Sequence, residues 1–162
     1  MKQNKQKRKK QSALKCWFDG SCGPINPGGI MGCGCIIKKG NKYLLKEGFR
    51  LASDGYAVTT NNIAEHFALN NILRKLIELG LQKESILVYG DSNLVIQQMS
   101  GKWMVKKGYY KETAEDNILL LANFTNIAFQ WIPREQNTQA DELSSKYAPA
   151  FVNKKTGGFY AS

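Results

Sequence analysis

"KCWFDGSCG", residues 15 to 23, runs three apolar side chains into a carboxylate and then a glycine. Cys16, Trp17 and Phe18 read as the end of a buried strand spanning Ala13 to Asp19. A charge at the end of such a run is costly unless something compensates it. The pattern recurs in "SILVYGD" (85–91), a short apolar strand that ends on Asp91. In sheets flanked by helices, active sites gather beyond strand ends and at helix starts. Asp19 and Asp91 therefore direct the search for the remaining site residues.

Working outward, "GSCGPINPGGIMG" (20–32) reads as a loop punctuated by Gly and Pro. "CGCIIKKG" and "KYLLKEGFRLAS" read as two strands joined in a hairpin at Gly40-Asn41. The polar "TTNN" (59–62) offers an N-cap for a long helix, "IAEHFALNNILRKLIEL", that stops at Gly80. Along it Leu69, Ile72, Leu73 and Leu76 form an apolar stripe. Ser92 caps a short helix, and the basic turn "GKWMVKKGYYK" leads to another over roughly 112–122. "IAFQWI" is a fifth strand, and "NTQADELSSKYA" is a last helix stopped near Pro149. Three strands followed by helices alternating with strands predict an α/β fold, a five-stranded mixed sheet flanked by helices. The expected divisions are a disordered basic arm (1–12), one folded domain (13–148) and a loosely ordered C-terminal tail (149–162).

A chain of 162 residues, 43% hydrophobic and 22% charged, fits one globular domain. No stretch approaches the ~18 consecutive apolar residues of a membrane span, and no apolar signal core follows the basic N-terminus. The expectation is a soluble, cytoplasmic protein. Six of the positive charges sit at Lys2, Lys5, Lys7, Arg8, Lys9 and Lys10, with no acid in residues 1–10, which leaves +4 of the formal +10 on the rest. Such a block suits a polyanion such as nucleic acid. On composition alone a solubilising tail is an equal alternative. Cys16, Cys22, Cys33 and Cys35 do not form a Cys-x₂-Cys pair and are expected to be reduced, partly buried thiols.

Two more acids complete the pattern. Glu65 lies in the first turn of the long helix, four residues before Leu69 and seven before Ile72, which places it on their buried side. Asp141 lies in the first turns of the last helix. Converging carboxylates repel, so they must share protons or bind cations. Oxygen ligands without sulfur or imidazole suit Mg²⁺ or Mn²⁺. Two such ions about 3.5–4 Å apart activate a water and stabilise a leaving oxygen at a phosphodiester. The alternative on spacing alone is that each acid caps a helix or pairs with a lysine.

"FDGSCGPINPGG", "TTNNIAEHFAL", "VYGDSNLVIQQMSGKW" and "WIPREQNTQADELS" resemble, in order, the successive motifs of type 1 ribonuclease H, over about residues 14–147. The resemblance implies a ribonuclease H-like fold and a two-metal endonuclease. Such an enzyme cuts the RNA strand of an RNA–DNA hybrid and leaves 5′-phosphate and 3′-hydroxyl ends. It implies that Asp19 bridges two Mg²⁺ ions, for which Mn²⁺ can substitute. Asp141 would complete the site of the nucleophilic water, and Glu65 and Asp91 would hold the ion near the leaving 3′-oxygen. Asn26 and Asn62, with Asn61 beside it, would meet 2′-hydroxyls and base edges in the minor groove. Gln97 or Gln98 are lesser candidates for the same part. Thr60 would help hold a DNA phosphate, although Val58 stands where a basic residue often does. Lys102 and Trp103, with Lys106 and Lys107, would touch the DNA backbone; a Trp packed at the sheet edge is the alternative.

Many members carry a catalytic histidine in the loop before the last Asp. Here "WIPREQNTQAD" has none, and the only histidine is His66. His66 adjoins Glu65 on a helix, where neighbours point about 100° apart, so it should not substitute and is expected to be a packing or surface residue. Arg134 stands in the loop instead, seven residues before Asp141, and would hold the scissile phosphate or help the leaving product depart. The resemblance is closest to the branch that lacks the histidine and has similar "PRE-N-AD" loops. It implies an RNA–DNA hybrid as partner, no membrane, no obligate protein partner and a monomer. A chain opening on Met1 with its own arm is expected to stand alone. The rivals are an inert hybrid-binding module, a domain of a reverse transcriptase or mobile-element polyprotein, and an integrase or resolvase of the same superfold.

Overall fold

The computed structural model describes residues 13–148, 151–152 and 159–160. Its elements are β1 (Leu14–Gly23), β2 (Ile30–Lys39), β3 (Lys42–Leu51), α1 (Asn61–Glu78), β4 (Ser85–Gly90), α2 (Asn93–Met99), α3 (Lys111–Leu121), β5 (Asn126–Trp131) and α4 (Thr138–Ser145). A single 3₁₀ turn, Arg134–Gln136, joins β5 to α4. The strands form one mixed sheet in the order β3-β2-β1-β4-β5. The first three are antiparallel neighbours, while β1–β4 and β4–β5 are parallel. This is the five-stranded mixed sheet expected from the sequence.

The long helix begins and ends as its sequence dictates. The Thr60 hydroxyl accepts a hydrogen bond from the Ile63 N–H at 3.2 Å, and Gly80 takes a φ of +71°, which favours glycine at a helix end. Leu69, Ile72, Leu73 and Leu76 are fully buried against the sheet. Ser92 caps α2 by accepting from the Val95 N–H. The chain between α2 and α3 is irregular. Cys16, Cys22, Cys33 and Cys35 are free and buried; the Cys33 and Cys35 thiols donate to the carbonyls of Ala64 and Ala68.

One expectation is corrected. The first strand does not stop at Asp19, because Gly20, Ser21, Cys22 and Gly23 pair with Cys33, Gly32, Met31 and Ile30. Gly20 and Gly32 serve close backbone approach rather than turns. A Cβ at Gly20 would overlap the backbone of Ala64 and Glu65 in α1, and one at Gly32 would overlap the Ser144 carbonyl oxygen in α4. Asp19 thus sits mid-strand, with the true loop confined to residues 24–29. Further along, β6 (Phe151–Val152) pairs antiparallel with β7 (Phe159–Tyr160). The basic arm lies outside the described residues.

Successive residues of a strand face opposite sides. Gly20 meets α1 while its neighbour Asp19 meets Ser144 of α4, so α1 and α4 cover opposite faces and the site forms where they approach across β1. No helix among the described residues is long and apolar enough to cross a membrane.

Candidate active site

Asp19, Glu65, Asp91 and Asp141 all line one cleft of about 470 Å³. Each arrives from a different element: the middle of β1, the first turns of α1, the residue after β4, and the first turns of α4. Carboxylate oxygens of Asp19, Glu65 and Asp91 lie within 4.8 Å of one another. Asp141 lies outside that trio. Its Oδ1 accepts from the Arg134 guanidinium at 3.1 Å.

The electrostatics are those of a site short of positive charge. Burial, then the neighbouring Asp91 and Asp141, push the Asp19 carboxyl up to about 8, against partial relief from the Ser144 hydroxyl and Arg134. Glu65 is raised well above the ordinary range by burial and by Asp19 and Asp91; hydrogen bonds from the Gly20 backbone and the Asn61 side chain oppose this. Asp91 is raised chiefly by burial. Glu65 is 3% exposed, and its Oε2 is buried with no hydrogen-bond partner. An orphaned carboxyl oxygen facing two other carboxylates, in an all-oxygen donor set, fits a hard divalent cation.

The surroundings fix these groups in place. Asn137 is buried and donates from Nδ2 to the Phe18 carbonyl at 3.0 Å, tying the start of α4 to β1 one residue before Asp19. The Trp131 indole donates to the Asp91 carbonyl at 3.1 Å. The 24–29 loop is stitched to the α1 N-terminus by three bonds: Gly28 N–H to the Thr59 carbonyl at 2.8 Å, the Thr59 hydroxyl to the Gly29 carbonyl at 2.6 Å, and Asn61 N–H to Asn26 Oδ1 at 3.1 Å.

The other residues singled out from sequence divide. Asn26, Asn61 and Arg134 line the cleft with the carboxylates. Thr60 caps α1, and Asn62 is exposed in its first turn. Lys102 and Trp103 are exposed beyond α2; Trp103 flanks a separate groove with Met99, Met104 and Ile118. Gln98 is no substrate amide, because it is buried and its side chain joins His66 Nε2 at 2.9 Å and the Tyr110 hydroxyl at 3.2 Å. His66 is a packing residue, fully buried with its ring stacked on Tyr110 at 5.0 Å. Burial holds its pKa down at about 4. Sequence reasoning missed Asn137, Trp131 and Ser144. "REQN" directly before a helix carrying an acid signals the first, whereas nothing local signals the other two.

Known proteins place this geometry. The family described as reverse transcriptase-like matches residues 32–147. A bifunctional protein of Mycobacterium tuberculosis is 37% identical over 86 residues, 53% of this chain and 23% of that protein. The chain therefore matches less than a quarter of the length of this curated relative. Ribonuclease HI of Halobacterium salinarum is 29% identical over 134 residues, 82% of this chain and 63% of that one. Among solved structures, the ribonuclease H1 of Halobacterium salinarum superposes with a TM-score of 0.71 at 26% identity, covering 83% of this chain and 96% of the other. LC11-RNase H1, isolated from compost by a metagenomic approach and solved in complex with an RNA/DNA hybrid, gives 0.72 at 31% identity, covering 82% and 94%.

Proposed function

The chain belongs to the reverse transcriptase-like family and has the ribonuclease H fold, and on that premise we propose that it is a metal-dependent ribonuclease H that hydrolyses the RNA strand of RNA–DNA hybrids. The observation that carries this reading is the trio of Asp19, Glu65 and Asp91, oxygens within 4.8 Å of one another, with Asp141 in the same cleft. Four ionised carboxylates balance the charge of two divalent cations. Held there, two Mg²⁺ ions, or Mn²⁺ in their place, would supply a water that is nucleophilic at neutral pH and a counter-charge for the leaving oxygen.

The chain's own groups do the positioning. Asp19 would be the shared ligand, Asp141 would complete the side of the attacking water, and Glu65 and Asp91 would complete the side of the leaving 3′-oxygen. Cleavage leaves 5′-phosphate and 3′-hydroxyl ends. Arg134 stays protonated at working pH and so cannot be a general base. It would hold the scissile phosphate, in a loop that carries no histidine. Asn26, Asn61 and Asn62, on a loop and helix start braced against each other, meet the 2′-hydroxyls that distinguish RNA from DNA. Thr60, Lys102 and Trp103 meet the DNA strand. The catalytic domain is residues 13–148, and the basic arm adds affinity through charge alone.

Labelled RNA–DNA, RNA–RNA and DNA–DNA duplexes incubated with Mg²⁺, Mn²⁺ or EDTA test the proposal. The expected result is cleavage of the RNA strand of the hybrid with either metal and none with EDTA. Hybrid binding without metal-dependent cleavage would instead mark an inert binding module.

A further inference from the structure

Ser144 lies on α4 three residues after Asp141 and is fully buried. Its hydroxyl reaches Asp19 Oδ2 and, at 3.0 Å, the Asp141 carbonyl. A hydroxyl has one proton and cannot donate to both at once. An ionised carboxylate is the stronger acceptor, so whenever Asp19 is charged the proton goes to Asp19.

Nor can Ser144 retreat from this contact. Gly34 on β2 pairs with both Asp19 on β1 and Gly48 on β3. Cβ atoms at Gly32, Gly34 and Gly48 would overlap the carbonyl oxygens of Ser144, Ala140 and Leu143. Helix α4 therefore rests backbone-to-backbone on a glycine floor, and Ser144 is delivered at a fixed height above Asp19. The other neighbours of Asp19 cannot do this work. Asp141 repels it, Asp91 shares a hydrogen bond with it only while one of the two carboxyls keeps a proton and repels it otherwise, and the Arg134 guanidinium is engaged with Asp141.

We infer that Ser144 is a positioning residue for divalent-metal loading: through its hydrogen bond it fixes the plane of the Asp19 carboxylate and leaves the remaining lone pairs to the Asp19–Glu65–Asp91 cluster. The inference deepens the proposed function and rests on the reading of these carboxylates as metal ligands. Partners that orient a ligand from behind are worth about 10–100-fold in metal affinity or activity.

The test uses the full chain with Ser144→Ala and Ser144→Cys, the second keeping a weaker donor of similar size. Mn²⁺ binding is followed by the loss of the free-ion spin-resonance signal in the absence of nucleic acid. Hybrid cleavage is measured across a Mg²⁺ series. Ser144→Ala should bind Mn²⁺ about 10-fold more weakly and need correspondingly more Mg²⁺, with KM for the hybrid and the metal-free melting temperature unchanged. Ser144→Cys should fall between. A merely structural role would lower the melting temperature and leave the metal requirement alone, which overturns the inference; so does Mn²⁺ binding by Ser144→Ala equal to that of the unsubstituted protein. Should Ser144→Ala fail to fold, the Cys variant decides on the same criteria. An unsubstituted protein that binds no Mn²⁺ removes the metal-site reading itself, a result distinct from equal binding by both.

Discussion

Metal uptake should expel protons. Asp19 is held up at about 8 by burial and by two carboxylate neighbours, so at pH 7 its carboxyl is roughly nine-tenths protonated. A metal ligand must be deprotonated. Removing the proton at pH 7 costs about 1.4 kcal/mol, one pH unit below that value. Between pH 6 and 8 the apparent Mg²⁺ affinity should therefore rise about tenfold per pH unit from Asp19 alone, flattening above pH 8. Glu65, raised for the same reasons, makes the slope steeper. Titration calorimetry in buffers of different ionisation heat counts the protons directly: at pH 7 the slope of observed heat against buffer heat should correspond to about one proton or more released. Asp19→Asn should lose the Asp19 share. Mg²⁺ binding whose heat is the same in every buffer at pH 7 would falsify the account. The metal-free fold carries the same signature with the sign that a raised carboxyl demands. The Asp19 share of its stability is fullest below the unfolded value of 3.8 and declines as pH climbs from there to about 8.

Four further outcomes are expected. Asp19→Asn and Asp91→Asn should each abolish hybrid cleavage while the melting temperature is kept or raised, because each removes repulsion from a crowded cluster; near-normal turnover in either folded variant would contradict the assignment. Arg134→Ala should slow turnover by about 10–100-fold, equivalent to about 1.4–2.7 kcal/mol, whereas His66→Gln, away from the cleft, should leave turnover close to normal; the reverse order would reassign the two. Gly34→Ala places a methyl group on the Ala140 carbonyl oxygen, an overpacking of about 1–3 kcal/mol. It should lower the melting temperature by several degrees and reduce cleavage, and a variant melting like the unsubstituted protein would show that α4 yields. Deleting residues 1–10 removes six cations. Hybrid binding measured in Ca²⁺ should then show a slope of log affinity against log salt that is shallower by roughly 2–4 units; unchanged slopes would make the arm a solubility tail.

The elements were legible where a local signal is strong. Thr60, Ser92 and Gly80 mark helix ends because capping is chemistry between near neighbours, and the structure keeps each of them. Leu69, Ile72, Leu73 and Leu76 reveal the buried face of α1 because a helix repeats every 3.6 residues. The misreading of Gly20 and Gly32 has an equally definite cause. Glycine serves both turns and close packing, and only the partner chain across the gap tells which. That partner is Glu65 for Gly20 and Ser144 for Gly32, 45 and 112 positions further along the chain. The tail gave no periodic pattern at all, so the short β6–β7 ladder had nothing to announce it.

The candidate site divides along the same line. Carboxylates at the ends of apolar runs contradict the run they sit in, and that contradiction is visible in sequence without a fold. Residues that support them do not contradict anything. Ser144 follows Leu143 in a polar helix where a serine is unremarked, and Trp131 closes an apolar strand as many aromatics do. Their roles exist only because α4 lies close enough to β1 for a hydroxyl to reach Asp19, and that closeness is set by glycines on two other strands. Residues that carry charge are thus readable one at a time, whereas the spacing between them belongs to the packed sheet and helix together. That is why the height of α4 above Asp19, rather than the identity of the four acids, is where a single methyl group should do the most damage.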